Sequence, residues 1–334
     1  MLLAATAGCG GRGAASKEAT LVDIGHGLRG PTGSRAVIAS AGAQHVAALA
    51  QDPAGRLWFG TAGYDDTGSD GVYLSTGAAS TPLEVLTAQH TVLGLAWVGD
   101  ELYVASKERV DAYSGFDGAR FASHRTVVTF QAGVGEINQI VMGPDGRFRL
   151  GISSPCDSCV PAVPHAASVV SFLPDGSDLR TEASNIRAPV GLAFVPGSAE
   201  LLVTMNQRDD LGARTPGDWL SQVTSGQDWR QPACYGQGGA ACAGAPPPVA
   251  TLDRHAAVSG VAIIDGAAVV AEWTTGKVMR ITLHRSGATL TGAPAPFVTG
   301  IAKPMAVLAT GGGVLIGDWQ HGTIYRIEVA GRPR

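Results

Sequence analysis

Short apolar runs and tight polar turns alternate along the chain, and the alternation recurs at a long period. "DPAGRLWFG", "VGDELYVAS", "GPDGRFRLG", "PGSAELLVT", "DGAAVVAE" and "GGGVLIGD" each set a Gly- or Asp-rich turn before an apolar run. Runs of this length bounded by turn residues predict strands rather than helices. A further apolar run follows in most units: "GVYLST", "RVDAY", "SVVSFL", "KVMRITL" and "TIYRIEV". The first apolar residues after the turns are Leu57, Leu102, Phe148, Leu201, Ala268 and Val314, at intervals of 45, 46, 53, 67 and 46. A period of about 40–50 residues with several strands per repeat predicts a β-propeller. Six units give an all-β, six-bladed β-propeller around a central channel, formed as one domain over residues 21–334. The ring is expected to close by pairing "RAVIAS" (35–40) with the last blade, which removes a free edge.

The two long intervals are insertions after the second strand of their blades. One holds "SSPCDSCVPAVPH". The other begins with "MNQRDDLGARTPGDWL" and reads as polar to about Pro248. Equivalent positions of a repeat lie on one face of the ring, so both insertions and "AGYDDTGSD" should roof the same channel mouth. A second alignment places His45, His90, Glu136, Arg187, His255 and Lys303 just before the first strands of the blades, 12, 12, 12, 14, 13 and 11 residues ahead of the anchors. Six ionisable side chains in one slot are expected to ring that mouth. Clustered titratable groups are the raw material of functional sites.

Composition narrows the function. The chain has 334 residues and a net charge of −4, which argues against a nucleic-acid partner. No 18-residue apolar window exists to span a membrane. Residues 1–20 read as a signal-like or lipoprotein-like segment and linker, with Cys9 as the lipid acceptor, although Thr6 stands where Leu is usual and no basic residue precedes the apolar run. The expectation is an exported protein of a bacterial cell envelope, touching the membrane only through that lipid. Cys156, Cys159, Cys234 and Cys242 fall into two local pairs, which predicts two disulfides and an oxidising compartment. A zinc site would need a second CxxC or HxxxH, and a redox CxxC would need a surrounding βαβ pattern; neither is present.

The stretch Asn185–Gly236, "NIRAPVGLAFVPGSAELLVTMNQRDDLGARTPGDWLSQVTSGQDWRQPACYG", resembles the pyrroloquinoline quinone (PQQ)-dependent glucose/sorbosone dehydrogenases. So do "GPDGRFRLGISSPCDSC", the His255–Gly260 segment and the closing "DWQHGTIYRI". The resemblance spans roughly 134–327 and implies a six-bladed propeller that binds PQQ and Ca²⁺ at the channel mouth and oxidises a sugar or aldehyde, passing electrons to an acceptor. It implies Arg187, Arg208 and Lys303 as cofactor-binding cations, because a tricarboxylate quinone wants cations and Arg has the matching fork. It implies Asp209, Asp210 and Asp218 as metal ligands, since Ca²⁺ takes hard oxygens. Glu136 and His255 are the candidate catalytic bases.

Several family positions differ. The family's catalytic His falls at Gly135, the Asn of "R-N-P" is Ala188, and "P-D-E-L-N" reads Pro216-Gly217-Asp218-Trp219-Leu220-Ser221. The first expectation is therefore a quinone-dependent sugar dehydrogenase with eroded catalytic positions, and the alternative is a non-catalytic surface propeller that binds a glycan or a protein. A Ca²⁺-dependent lactonase or hydrolase rests on fold analogy alone.

Overall fold

The computed structural model describes residues 20–287 and 289–329, so the export segment, Cys9 included, lies outside the described residues apart from Thr20. Six antiparallel blades are present, and no α-helix occurs among the described residues. Their inner strands are Val46–Gln51, Gly94–Val98, Ile137–Met142, Pro189–Phe194, Val258–Ile264 and Pro304–Thr310, numbered here as blades 1 to 6. Each inner strand contacts the next, and Pro304–Thr310 returns to Val46–Gln51, which closes the ring.

All six sequence anchors fall in second strands: Leu57–Thr61, Glu101–Ser106, Phe148–Ile152, Leu201–Met205, Ala267–Glu272 and Gly313–Asp318. Four of these six, those of blades 1, 4, 5 and 6, are buried at every position. The cause is topological: a strand in the middle of a blade has a neighbouring blade on both faces, so it reads as a continuous apolar run and not an alternating one. The outermost strand Phe121–Thr129 is mostly exposed.

The core is correspondingly divided, with a separate apolar cluster at each of the six interfaces between adjacent blades. Val46, Leu49, Leu57 and Phe59 of blade 1 pack on Ala306, Leu315 and Ile324 of blade 6, for example. The other five clusters repeat this arrangement around the ring. Each buried Leu, Ile, Val or Phe contributes about 1.5–3 kcal/mol, so these clusters carry the fold and leave the mouth loops free to be polar.

The N-terminal strand Arg35–Ala41 pairs antiparallel with Thr323–Glu328 and completes blade 6, as "RAVIAS" predicts. An earlier hairpin, Val22–Gly25 and Leu28–Gly30, extends the outer edge of blade 5. The polar stretch from Met205 is not one loop. Gly217–Val223 interrupts it as the third strand of blade 4, with Trp219 and Leu220 buried. Gln227–Asp228 then joins blade 3 in parallel. A strand that begins Gly-Asp and carries a Ser and a Gln gives weak apolar signal, which hid it.

The channel is pinched below the mouth. A Cβ on Gly191 would sit 2.3 Å from the Ser259 carbonyl oxygen, and one on Gly260 would sit 2.6 Å from that of Met305. Only glycine lets adjacent inner strands approach so closely. The remaining void there, about 20 Å³ among Ala47, Leu95, Val307 and neighbours, holds at most a water. The mouth is therefore a blind cup.

Candidate functional site

The cup has a volume of about 770 Å³ and a floor that includes Leu93, Ile137, Val190 and Met305. Its rim follows the repeat. The residue directly after each second strand (Ala62, Lys107, Ser153, Asn206, Trp273, Trp319) lines the cup in every blade. Each donates its backbone N–H to the lead-in of the first strand of the same blade, at His45, His90, Glu136, Ala188, Ala257 and Lys303. The slot coincides with this position in four blades, but of its six side chains only Glu136 and Arg187 line the cup. In blades 4 and 5 the equivalent places belong to Ala188 and Ala257, and Arg187 and His255 precede them by one and two residues.

One wall is aromatic. Tyr64, Trp273 and Trp319 meet edge to face, with ring centroids 5.8 Å (Tyr64–Trp273), 4.9 Å (Tyr64–Trp319) and 5.6 Å (Trp273–Trp319) apart. Tyr64 is 73% exposed. Each Trp follows a buried acid that fixes its turn. Asp318 accepts the N–H groups of Lys303 and Gln320 at 3.1 Å, and Glu272 accepts that of Asp253 at 3.1 Å. Trp319 Nε1 donates to the Ala62 carbonyl at 2.7 Å, which locks the ring across two blades. His45 packs on Trp319 with centroids 4.3 Å apart, and Lys303 Nζ lies 3.8 Å from the centre of Trp273. These slot residues support the aromatic wall from behind and do not themselves line the cup.

The opposite wall is polar and largely self-neutralised around Asp157. This carboxylate accepts Arg187 Nε at 2.7 Å, Arg187 Nη2 at 2.6 Å, and the backbone N–H groups of Asp209 (2.9 Å) and Asp210 (2.7 Å). Asp157 lies between Cys156 and Cys159, which are joined as a disulfide; Cys234 and Cys242 form the second, as the spacing predicts. Arg187 also approaches Asp209 at 3.5 Å.

The remaining sequence candidates separate. Glu136 lines the cup, is exposed and has no side-chain partner among the described residues. His255 lies outside the lining, with Nδ1 2.8 Å from Asp209 Oδ1 and Nε2 3.2 Å from the Gly212 carbonyl. The Asp209 hydrogen bond raises its pKa, which favours the imidazolium over a free base. Arg208 grips Asp210 with two bonds of 2.6 Å and donates to the Pro232 carbonyl at 2.9 Å. The Arg208 guanidinium takes the Asp210 pKa down to about 2. Asp218 is buried. It accepts the Gln207 and Val258 N–H groups at 2.8 and 3.3 Å, and burial pushes its pKa up to about 6 against those bonds.

Asp218 has a counterpart in blade 1. Asp70, also near the start of a third strand, accepts from Gly63 at 2.9 Å and from Thr91 at 3.0 Å. Both acids tie a mouth loop to the lead-in of the next blade. Asp209, Asp210 and Asp218 therefore each face different partners. No group of three or more His, Cys, Asp or Glu is arranged to hold a metal ion among the described residues. On the blade 2 side, His90 Nδ1 lies 2.8 Å from Asp66 Oδ1, and Lys107 pairs with the same carboxylate.

Sequence reasoning missed Tyr64, Trp273, Trp319 and Asp157. A signal for the tryptophans was present: "VVAEW" and "LIGDW" end apolar strands on an acid followed by Trp, 46 residues apart, the same interval as the anchors of those blades.

No protein-family model and no curated protein matches the chain by sequence. Solved structures do match in fold. The PQQ-bound aldose sugar dehydrogenase of Streptomyces coelicolor is 19% identical, over 90% of this chain and 100% of that one, with a TM-score of 0.70. The holo PQQ domain of Coprinopsis cinerea pyranose dehydrogenase is 15% identical over 90% and 97%, with a TM-score of 0.73. A Trichoderma reesei carbohydrate-active enzyme of family AA12 is 14% identical over 96% and 100%, with a TM-score of 0.74. The chain shares the six-bladed fold of the PQQ-dependent sugar dehydrogenases.

Proposed function

We propose that the cup binds a carbohydrate, on the propeller scaffold used by sugar dehydrogenases. The observation that carries this reading is the aromatic wall of Tyr64, Trp273 and Trp319 facing Glu136, Asn138, Ser153 and Asn206 across one blind cavity. A sugar ring has an apolar C–H face for an aromatic surface and hydroxyl edges for oxygen acceptors, and sites that bind small molecules combine these two kinds of wall. Titrating short oligosaccharides against intrinsic tryptophan fluorescence tests it. Saturable quenching whose midpoint rises about tenfold in Trp273→Ala is expected; no change with any neutral or charged sugar would overturn it.

A second reading is a PQQ- and Ca²⁺-dependent dehydrogenase of aldoses, favoured by the shared fold and by Arg187 and Lys303 at positions carried by the resemblance. The residues fit the quinone poorly. The lining holds four carboxylates (Asp66, Glu108, Glu136, Asp157) and two cations, Lys107 and Arg187. Both cations already have an aspartate partner. A tricarboxylate would therefore meet net negative charge, and no catalytic step is assigned to it. An extracytoplasmic location goes with the two disulfides in either reading. A lipid on Cys9 belongs to the same proposal and is checked by mass spectrometry of the exported protein.

A further inference from the structure

Resting on the reading of the cup as a sugar site, we propose that it selects a cationic, amine-bearing sugar, with Glu136 as the counter-ion of the amine and Asp157 as the residue that excludes anionic sugars. Few polar atoms in the lining are still open. Lys107 pairs with Asp66, and Arg187 is held by Asp157 through two short contacts of 2.7 and 2.6 Å. Asn138 Nδ2 donates to Ser153 Oγ at 2.9 Å. The strong donors of the wall are therefore engaged inside the protein.

The open charged groups of the lining are acceptors. The Glu136 carboxylate has no partner among the described residues, and Asn206 Oδ1 is buried without a donor. A ligand that complements this wall brings donors and positive charge. The aromatic wall prefers the same chemistry, because ring faces attract ammonium groups. The protein already uses that preference, with Lys303 Nζ 3.8 Å from the centre of Trp273. A neutral sugar would stack equally well but would displace water from Glu136 without replacing its counter-charge. An acidic sugar would find Arg187 already covered by Asp157.

Asp157 acts through position as well as charge. Its carboxylate is fixed from several directions by Arg187 and by the Asp209 and Asp210 N–H groups, and its flanking cysteines are bonded to each other. It is a specificity residue that touches the cup and sets which charge the Arg187 corner presents.

The test uses the β-1,4-linked tetramers of glucosamine, N-acetylglucosamine and glucose, titrated calorimetrically at a pH of about 6, below the pKa of a free amine. Wild type is expected to bind the glucosamine tetramer about tenfold more tightly than the glucose tetramer, as one charge-assisted hydrogen bond provides. Glu136→Gln should bring the two within about twofold, while Glu136→Asp keeps part of the difference. Unchanged melting of both variants ties the result to the ligand. Equal affinity for the three tetramers in wild type, or a preference that survives Glu136→Gln, overturns the amine proposal and leaves the sugar reading standing. Absence of binding by any tetramer overturns both.

Discussion

The two walls of the cup solve the same problem, that of holding polar loops at the end of a propeller, in opposite ways. On the side of blades 3 and 4, charges are numerous and turned on one another: Asp157 with Arg187, Asp210 with Arg208, Asp209 with His255. On the side of blades 1, 5 and 6, Lys303 and His45 stand behind aromatic rings, which present their surfaces to the cavity. Density of polar residues is therefore a poor guide to where a ligand would sit. A loop rich in Asp and Arg can satisfy itself completely. An aromatic surface cannot, and it is left for a partner.

The contrast can be broken from the polar side first. Arg187→Glu would set a third carboxylate against Asp157 and Asp209, at a side chain only 18% exposed. It should cost about 3 kcal/mol of stability, the scale for breaking a partly buried pair. Adding Asp157→Arg should recover a good part of that in denaturant unfolding. Failure of the double variant to recover any would show that the loop is held by something other than this pair.

Asp218 offers a pH handle of about 2 kcal/mol, below the value its full shift would convert to. Its folded pKa, about 6, stands above the ordinary 3.8. The protonated form is thus favoured by folding, so its contribution is complete below 3.8 and is lost as pH rises through about 6. The difference in stability between wild type and Asp218→Asn should therefore shift in favour of wild type on acidification through that window. A difference that is flat with pH would contradict the assignment.

On the aromatic side, Trp273→Ala should weaken sugar binding about tenfold, the scale of one well-placed aromatic contact of about 1.5 kcal/mol, with a smaller effect on melting than Arg187→Glu. The smallest effect is expected at His255. The hydrogen bond to Asp209 raises its pKa, so its contribution is present below the ordinary 6.5 and fades as pH climbs through the raised value. The group is well exposed, and His255→Gln should flatten only a slight decline in melting temperature over that range.

Much of the fold was legible because its physics is periodic. Six turn-plus-strand repeats place every anchor, and the closing strand at Arg35–Ala41 follows from the need to cover an edge. Gly217–Val223 was not legible, because a blade's third strand can be polar at its ends while Trp219 and Leu220 do the packing. At the site, Glu136 and Arg187 line the mouth. His45, His90, His255 and Lys303 fall outside the lining, and His45 and Lys303 pack on the rings at the exit of the preceding blade's second strand. Asp157 was not legible inside "CDSC", because the cysteine spacing carries the signal there and the partners of Asp157 come from distant loops.

Arg187, held by Asp157, should not be available to an anionic cofactor. The most direct measurement is a titration of pyrroloquinoline quinone with Ca²⁺ into wild type and Asp157→Asn, followed by the absorbance of bound quinone. Wild type should form no stoichiometric complex, and Asp157→Asn should gain binding because the Arg187 charge is uncovered. A stoichiometric wild-type complex whose quinone absorbance bleaches on addition of an aldose would contradict this.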